Sequence, residues 1–228
     1  GGQYQASWGP GEREYYQFTP TQETAGEYVL YTTDRIYDTS ILWYQKTENG
    51  LESLSGGDER INAVLSCDLE AGVTYVFEVK NPSFAEDIAG GCLVHLKKPS
   101  QMVSMEISSI APQYRVDGVW NGLVGSQEDG VGLKVVYGDG SSDIVSRWGW
   151  TSVPMNETSV MLLSASTSQG KQVYGRLEQN GQVVDVPAEG EGLGIRPGSY
   201  TLRLYHMSTD IWEYDPDTAI EAVADLQI

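Results

Sequence analysis

The sequence predicts an all-β protein built as two tandem antiparallel β-sandwich domains. Apolar and polar residues alternate along short runs, as expected of strands that bury one face and expose the other. Glycine, Asn-Gly and Asp-Gly turns separate these runs about every ten residues, a spacing typical of sandwiches and barrels. A chain of 228 residues is long enough for two domains of ordinary size.

Three strands in the first half show this alternation most clearly, at 61–67, 74–80 and 92–97. In the second of them, Glu78 and Lys80 fall on the face opposite the core. The apolar positions of the three strands are expected to face a common core: Ile61, Ala63, Leu65, Cys67, Tyr75, Phe77, Val79, Cys92, Val94 and Leu96.

Three dipeptides predict β-hairpins: Asn49-Gly50, Asp139-Gly140 and Asn180-Gly181. Such pairs favour a two-residue turn because both central residues take positive φ. The second pair follows an alternating run that ends at residue 137 and precedes a predicted strand at 144–150. Alternation over 219–228 predicts a closing strand, although the alanines there would also suit a helix.

A domain boundary is predicted where Lys97-Lys98-Pro99-Ser100 interrupts the alternation, which gives domains at 1–99 and 100–228. The formal net charge is −18, from 14 basic and 32 acidic residues. Both predicted domains are acidic, with 7 basic and 15 acidic side chains in the first and 7 and 17 in the second. Such a field repels phosphate backbones, so we expect no nucleic acid partner.

Hydrophobicity gives no sign of a membrane segment. The chain contains no run of about 18 apolar residues, so we expect no membrane insertion of this segment. It also lacks a basic start followed by an apolar stretch, so no export signal is expected within it. The expected oligomeric state is a monomer.

Residues 12–97 resemble the bacterial pre-peptidase C-terminal domain, a small jelly-roll-like sandwich found on exported proteins. In that family a pair of acidic residues often follows the second hairpin. This sequence has Gly56-Gly57-Asp58-Glu59 there instead, so no calcium role is carried over to that loop. The likeness rests on the segments Tyr15-Tyr16-Gln17-Phe18, Gly26-Glu27-Tyr28-Val29-Leu30-Tyr31, Asp38-Thr39-Ser40-Ile41-Leu42-Trp43-Tyr44, Asp58 and Leu69-Glu70-Ala71-Gly72-Val73-Thr74-Tyr75.

Residues 104–228 are similar to the bacterial immunoglobulin-like repeats of surface proteins. The matching segments are Val131-Gly132-Leu133-Lys134-Val135-Val136-Tyr137-Gly138-Asp139-Gly140 and Gly198-Ser199-Tyr200-Thr201-Leu202. Together the two resemblances imply a spacer, adhesive or accessory role outside the cytoplasm, in a secreted or cell-surface bacterial protein. They imply no reaction.

A nucleophilic catalytic set would need a histidine base, and the chain has only His95 and His206. His95 falls on the outward phase of its strand, and His206 lies at the end of a predicted strand at 200–207. A glycoside hydrolase would need only two carboxylates, but 32 acidic residues single out no pair. We therefore expect that the chain is not an enzyme.

The loop at 210–218 is the strongest candidate for a ligand site. Asp210, Asp215 and Asp217 offer carboxylate oxygens, the donors that Ca²⁺ prefers. Calcium is thus the one cofactor this loop would suit, although solvated Asx turns explain loop aspartates equally well. No other cofactor is expected.

Four aromatic residues are candidate binding residues. Trp212 and Tyr214 lie in the same loop, where exposed rings commonly contact sugars or proteins. Trp148 and Trp150 lie two apart on one predicted strand face, a spacing that favours packing over binding.

Cys67 and Cys92 both fall on core-facing phases of the first predicted domain. They would form one disulfide if their Cα atoms lay about 4.4–6.8 Å apart, and otherwise two separate buried thiols. We favour the separate thiols.

These observations predict a non-catalytic accessory or adhesion module that binds an extracellular glycan or protein through the end loops of its second domain. A structural spacer within a larger surface protein or secreted hydrolase is the alternative interpretation. A glycoside hydrolase is a third.

Overall fold

The structure, a computed structural model, describes residues 2–54, 60–110, 115–116, 119–120, 131–155, 158–185, 188–189, 192–193, 195–209 and 214–227. Within these ranges it consists of antiparallel β-strands with one short 3-10 turn and no α-helix. The predicted all-β fold class is confirmed. The chain divides into two compact units, Gly1–Pro99 with Ser168–Gly170, and Ser100–Thr167 with Lys171–Ile228.

The first unit is a sandwich of two antiparallel sheets. One has the strand order β1-β9-β3-β7, and the other has the order β2-β8-β4-β5 with β6 paired to β4. A short 3-10 turn at Ser83–Ala85 precedes β9. The strands are β1 (Gly2–Trp8), β2 (Glu14–Phe18), β3 (Gly26–Thr33), β4 (Ser40–Thr47), β5 (Gly50–Ser53), β6 (Arg60–Ile61), β7 (Leu65–Leu69), β8 (Tyr75–Lys80) and β9 (Gly90–Lys97).

Both sheets of the first unit contribute to one core. Leu30 and Val94 come from one sheet and Ile41 and Phe77 from the other, and all four are buried in the same cluster. Burial of such side chains contributes roughly 1.5–3 kcal/mol each, so this shared layer is the main stabilising element of the unit.

The second unit also buries a core between sheets. Its strands form a three-stranded sheet (β10-β13-β14), a six-stranded sheet (β15-β16-β17-β21-β22, with β18 on β17) and a small sheet (β11-β12-β20-β19). The strands are β10 (Met102–Ile110), β11 (Arg115–Val116), β12 (Val119–Trp120), β13 (Val131–Tyr137), β14 (Ser142–Val145), β15 (Gly149–Met155), β16 (Thr158–Ser166), β17 (Gln172–Gln179), β18 (Gln182–Val183), β19 (Ala188–Glu189), β20 (Gly192–Leu193), β21 (Ser199–His206) and β22 (Ile220–Gln227).

The alternation predicted the core of the second unit well. Leu133 and Val135 on β13 are fully buried and pack in one cluster with Leu202 and Leu204 on β21. The C-terminal segment is the strand β22, as the alternation predicted, rather than a helix. The predicted strand at 144–150 is wrong, however. β14 ends at Val145 and β15, in a different sheet, begins at Gly149.

In the first unit the predicted phase is right: Tyr75, Phe77 and Val79 face the core and Glu78 faces the opposite side, but Glu78 is buried there rather than exposed. β8 lies between β2 and β4. Side chains from β4 and from the loop before β2 cover its outer face at Glu78. Arg13 reaches Glu78 Oε1 at 2.9 Å and the Tyr44 hydroxyl donates to Oε2 at 3.0 Å. The carboxylate is therefore buried with its charge compensated.

The predicted strand at 61–67 is two strands. Asn62 interrupts it with φ of 50°. Its side-chain oxygen accepts a hydrogen bond from Thr39 N at 3.0 Å, and its amide donates to the Asp38 carboxylate at 2.6 Å. As a result Ile61, expected in the core, is exposed, whereas Leu65 is buried.

The hairpin at Asn180-Gly181 takes the predicted geometry, with φ of 53° and 77°. Asp139-Gly140 also turns the chain from β13 into β14, but only Gly140 has positive φ (83°), so the predicted geometry with positive φ at both residues is wrong here. The third turn lies one residue earlier than predicted, because Thr47 pairs with Gly50 and the loop is Glu48-Asn49.

The two cysteines are free and buried, so the possible disulfide is wrong. Strand register explains why. Cys67 lies opposite Tyr28 on β3, whereas Cys92 lies one residue beyond the partner of Thr33. These positions are six residues apart along β3, or roughly 20 Å at about 3.3 Å per residue, far beyond disulfide reach.

We expect neither thiol to react in the folded protein. Burial raises the pKa of Cys67 to about 12 and that of Cys92 to about 11, so the reactive thiolate is scarce at neutral pH. A thiol-specific chromogenic reagent should detect none in native protein and both in denaturant without reductant. A count below two in the denatured, unreduced chain would contradict the register argument.

Candidate functional site

Trp148, expected on a strand face, is buried in the core of the second unit. Its indole N–H donates to the Val131 carbonyl at 2.8 Å. Trp148 is therefore a packing residue, and its candidacy as a binding residue is withdrawn. Trp150 lies on β15 opposite Leu163, and its side chain lies outside the described part of the chain.

The loop at 210–218 is described only from Tyr214 onward, so Asp210 and Trp212 lie outside the described residues. The Asp215 carboxylate accepts from Asp217 N and from the Thr218 hydroxyl, each at 3.0 Å. This carboxylate therefore forms a local Asx-type turn before β22, the alternative considered for these aspartates. The Asp217 side chain is exposed.

Tyr214 was expected to be an exposed loop ring, but its ring instead packs against neighbouring side chains. Its ring lies 4.0 Å from the Arg176 guanidinium, 5.5 Å from that of Arg203 and edge-on to Tyr205 with centroids 5.0 Å apart. Its hydroxyl donates to the Glu221 carboxylate. These contacts fix Tyr214 against the outer face of the six-stranded sheet.

Glu178 organises the charges beneath Tyr214. It accepts from Arg176 Nε at 2.7 Å and from Arg203 Nε at 2.9 Å. Arg203 extends the network to Glu221 at 2.8 Å. Arg176 and Arg203 lie directly opposite each other on β17 and β21, an unfavourable like-charge pair unless a carboxylate bridges them.

Burial raises the pKa of Glu178, but hydrogen bonds from Arg203 and Arg176 outweigh it and hold the pKa below its usual value. Burial also raises the pKa of Glu221, but hydrogen bonds from Tyr214 and Arg203 outweigh this effect, so the pKa of Glu221 likewise lies below its usual value. Arg176, Arg203 and Tyr214 thus donate hydrogen bonds to Glu178 and Glu221. The arrangement is suited to holding a segment on a sheet rather than to capturing a ligand.

Each of the two histidines forms a hydrogen bond with a residue on an adjacent strand. His95 Nε2 lies 2.8 Å from the Thr33 hydroxyl, and its ring stacks on Tyr31 with centroids 4.6 Å apart. His206 is buried, and its Nδ1 lies 2.7 Å from the Gln172 carbonyl oxygen. Because a carbonyl only accepts, that nitrogen carries the proton.

In the described part of the chain, no group of three or more His, Cys, Asp or Glu side chains is placed to hold a metal ion. Nor do the described residues include a helix long and apolar enough to span a membrane.

The best candidate surface lies at one end of the first sandwich, which we call the three-loop end. Strand pairing places the loops together, since Trp8 pairs with Gly90 at the end of one sheet and Ser40 pairs with Lys80 at the end of the other. The loops of the three-loop end are residues 9–13, 34–39 and 81–89.

Backbone hydrogen bonds tie these loops to one another and to the sheet. Gly11 N donates to the Glu86 carbonyl at 2.6 Å, which joins the first loop to the third. Ile36 N donates to the Gly91 carbonyl at 2.9 Å, which joins the second loop to β9. The three loops therefore form one surface.

Asn81 holds the third loop from inside. This buried side chain accepts from the Trp8 indole at 3.1 Å and donates to the carbonyls of Ala85 (3.1 Å) and Ile88 (2.8 Å). Gly90 packs directly against the Trp8–Asn81 hydrogen bond and leaves no room for a side chain. The loop is thus fixed by polar contacts in a water-poor environment, where they are strong.

The three-loop end exposes four large apolar side chains among charged ones. Ile36 is 74% exposed and Phe84 is 62% exposed, and Tyr37 and Ile88 are exposed to a lesser degree, at 43% and 38%. Sequence reasoning did not identify these residues, because they lie in segments without alternation. The available signal was large apolar residues placed between turn-forming ones, in loops where polar residues are the norm.

No family model, curated protein or solved structure matches this chain, so the two family resemblances stay predictions.

Proposed function

We propose that the chain is a non-catalytic binding module of a larger secreted or cell-surface protein, and that it holds a partner protein at the three-loop end. The observation that supports this most strongly is the exposure of Ile36, Tyr37, Phe84 and Ile88 on loops that converge at one end of a rigid sandwich. Sandwich end loops are the usual place for contacts that leave the core undisturbed.

The fixed conformation of the loops favours binding. Phe84 and Ile88 lie in the loop that Asn81 holds with three hydrogen bonds. A surface that is ordered before binding avoids about 0.5–1.5 kcal/mol of ordering cost for each immobilised side chain. Exposed apolar residues on such a surface serve as anchors for a complementary pocket.

The side-chain chemistry favours a protein over a glycan. Sugar rings stack on flat aromatic faces, whereas Ile36 and Ile88 are branched and aliphatic. Branched aliphatic side chains gain most from being enclosed in an apolar pocket, which a protein partner supplies. Acidic residues, among them Asp34 and Asp87 in the same loops, would discourage anionic partners.

The test compares the double variant Ile36→Ser/Phe84→Ser with a matched control, Leu51→Ser/Ile144→Ser, which removes two other exposed apolar side chains. Both variants should keep the wild-type melting temperature within a few degrees, because all four residues are exposed. Binding to arrayed extracellular proteins, followed by affinity measurement on any hit, should fall at least about tenfold for the first variant only.

A pure spacer would give a different result. It would bind nothing on the protein array or on a parallel glycan array, and the loop variant would behave as the wild type. Equal loss of binding in both variants would also overturn the proposal, since it would show nonspecific adhesion by any exposed apolar residue.

A further inference from the structure

The outer face of the five-stranded sheet in the first unit carries two tyrosine rings. Tyr15 on β2 lies opposite Glu78 on β8, and Tyr44 on β4 lies opposite Val76 on β8. Opposite residues of antiparallel strands share a face, and this face points away from the core because Phe77, which alternates with these positions, belongs to the core cluster. We call the following six residues the tyrosine platform: Tyr15, Gln17, Leu42, Tyr44, Val76 and Glu78.

The Tyr44 ring lies along the sheet rather than standing out from it. Tyr44 and Val76 form one opposite pair and Leu42 and Glu78 form the next, so these four residues mark the corners of a square. The Tyr44 hydroxyl donates to Glu78 Oε2 at 3.0 Å, along the diagonal of that square. The ring therefore crosses above Leu42 and Val76, which are only 7% and 8% exposed on this outer face. Its other side faces away from the sheet.

Polar groups surround the two rings. Arg13 Nη1 donates to Glu78 Oε1 at 2.9 Å, and the arginine side chain is 40% exposed. Because a guanidinium has five N–H donors, Arg13 can hold Glu78 and still donate to a ligand. Tyr15, which is 53% exposed, interacts electrostatically with the same guanidinium, and Gln17 is exposed beside it on β2. The platform thus combines aromatic rings with hydrogen-bonding groups.

The charge of the platform favours an uncharged ligand. Both oxygens of Glu78 accept hydrogen bonds, one from Arg13 and one from Tyr44, so a cationic ligand finds no free carboxylate there. The pair formed by Arg13 and Glu78 has no net charge. Residues 1–99 carry 7 basic against 15 acidic side chains, and this surrounding field discourages an anionic ligand.

The exposed side chains favour a sugar over a protein. The branched apolar members of the platform, Leu42 and Val76, are covered, so it lacks the exposed aliphatic anchors that the three-loop end offers a protein. A sugar ring has an apolar C–H face, which stacks on an aromatic ring, and hydroxyl groups at its rim, which donate and accept hydrogen bonds. Since β8 separates β2 from β4, the two tyrosine-bearing strands are roughly 10 Å apart, and a ligand that touches both rings spans more than one sugar unit.

We propose that the tyrosine platform binds an uncharged oligosaccharide, with one sugar ring stacked on Tyr44 and another on Tyr15. Arg13 and Gln17 would form hydrogen bonds with the hydroxyl groups of the sugar. The hydrogen bond that fixes Tyr44 in place lowers the ordering cost of binding. Arg13 also belongs to the first loop of the three-loop end, but no other residue is shared, and the platform does not depend on the function proposed there.

The probes are cellohexaose, laminarihexaose, xylohexaose, mannohexaose and chitohexaose, each labelled at the reducing end with an uncharged fluorophore. The fluorescence anisotropy of at least one probe should rise saturably with the full chain. The unlabelled hexasaccharide should compete at least about tenfold better than its monosaccharide, because only the longer ligand reaches both rings. A hexamer of galacturonic acid should bind at least about tenfold more weakly than the best neutral probe.

Protein variants locate the site. Tyr15→Ala should weaken binding of the best probe at least about tenfold, because it removes one of the two stacking rings. Tyr15→Trp keeps an aromatic face and should retain binding. Tyr37→Ala is the matched control, since it removes a tyrosine that is 43% exposed at the three-loop end, and it should leave binding unchanged. A melting temperature close to wild type verifies that each variant folds.

Failure of all five neutral probes to bind, or equal affinity of Tyr15→Ala and the wild type, would overturn the proposal. So would equally tight binding of the galacturonic acid hexamer. A protein whose binding is lost in Tyr15→Ala, without any sugar bound, would show that a protein occupies the platform and would also overturn it. The three-loop variant Ile36→Ser/Phe84→Ser should bind the best neutral probe normally, so failure at one site is distinguishable from failure at the other.

Discussion

Replacing Gly90 with alanine should strongly destabilise the first sandwich. A Cβ at this position would lie 2.5 Å from Trp8 Nε1 and closer still to Asn81 Oδ1. These two atoms form a buried hydrogen bond of 3.1 Å, so relief of the clash requires that the bond break. Overpacking and the loss of a buried hydrogen bond together should cost about 4 kcal/mol in free energy of unfolding.

Urea unfolding followed by tryptophan fluorescence measures this loss. Gly149→Ala is the matched control, because a Cβ there meets nothing within 4 Å, and we expect a change of at most about 0.5 kcal/mol. The same substitution at Gly90 should also loosen the loop that Asn81 holds, and so weaken binding at the three-loop end. A Gly90→Ala protein as stable as the control would show that Trp8 and Asn81 repack without cost.

Much of the fold followed from local pattern. The alternation on β13 identified its buried residues, because every second side chain of a strand faces the sandwich core and is apolar there. Glu78 shows where this reasoning ends. Its position in the alternation is that of a solvent-facing residue, but Arg13 and Tyr44 cover it, and they are 65 and 34 residues away in the chain. Burial on an outer face is decided by such distant partners.

The same limit applies to the candidate sites. Tyr214 is a loop aromatic in the sequence, but Arg176 and Arg203 on two strands hold its ring against the sheet. Ile36 and Phe84 have no periodic neighbours, and only the strand pairings show that their loops share one end of the sandwich. The sequence predicted that end loops would carry function, but not which loops are apolar.

The largest effect expected in the second unit comes from replacing Glu178 with glutamine. The shape is kept and the charge is lost, which leaves Arg176 and Arg203 facing each other on adjacent strands. Their side chains are only 14% and 20% exposed, so water compensates them poorly. Breaking a buried ion pair by removing one partner costs about 3–5 kcal/mol, and we expect about 3 kcal/mol here because the arginines keep some solvent contact.

The pH dependence of this loss distinguishes charge from shape. The folded-state pKa of Glu178 lies below its ordinary value of 4.5, so its contribution is fully present above pH 4.5 and is lost as the pH falls through the lower folded-state value. The difference in stability between wild type and Glu178→Gln should therefore be largest at neutral pH and shrink under acid.

Glu106→Gln is the matched control, since Glu106 is an exposed strand glutamate opposite Lys134, and it should change stability by at most about 1 kcal/mol. If the deficit of Glu178→Gln were the same at pH 7 and at pH 3, the lost interaction would be one of packing. The bridging of two opposed arginines by one carboxylate would then not be what holds Tyr214 and its segment to the sheet.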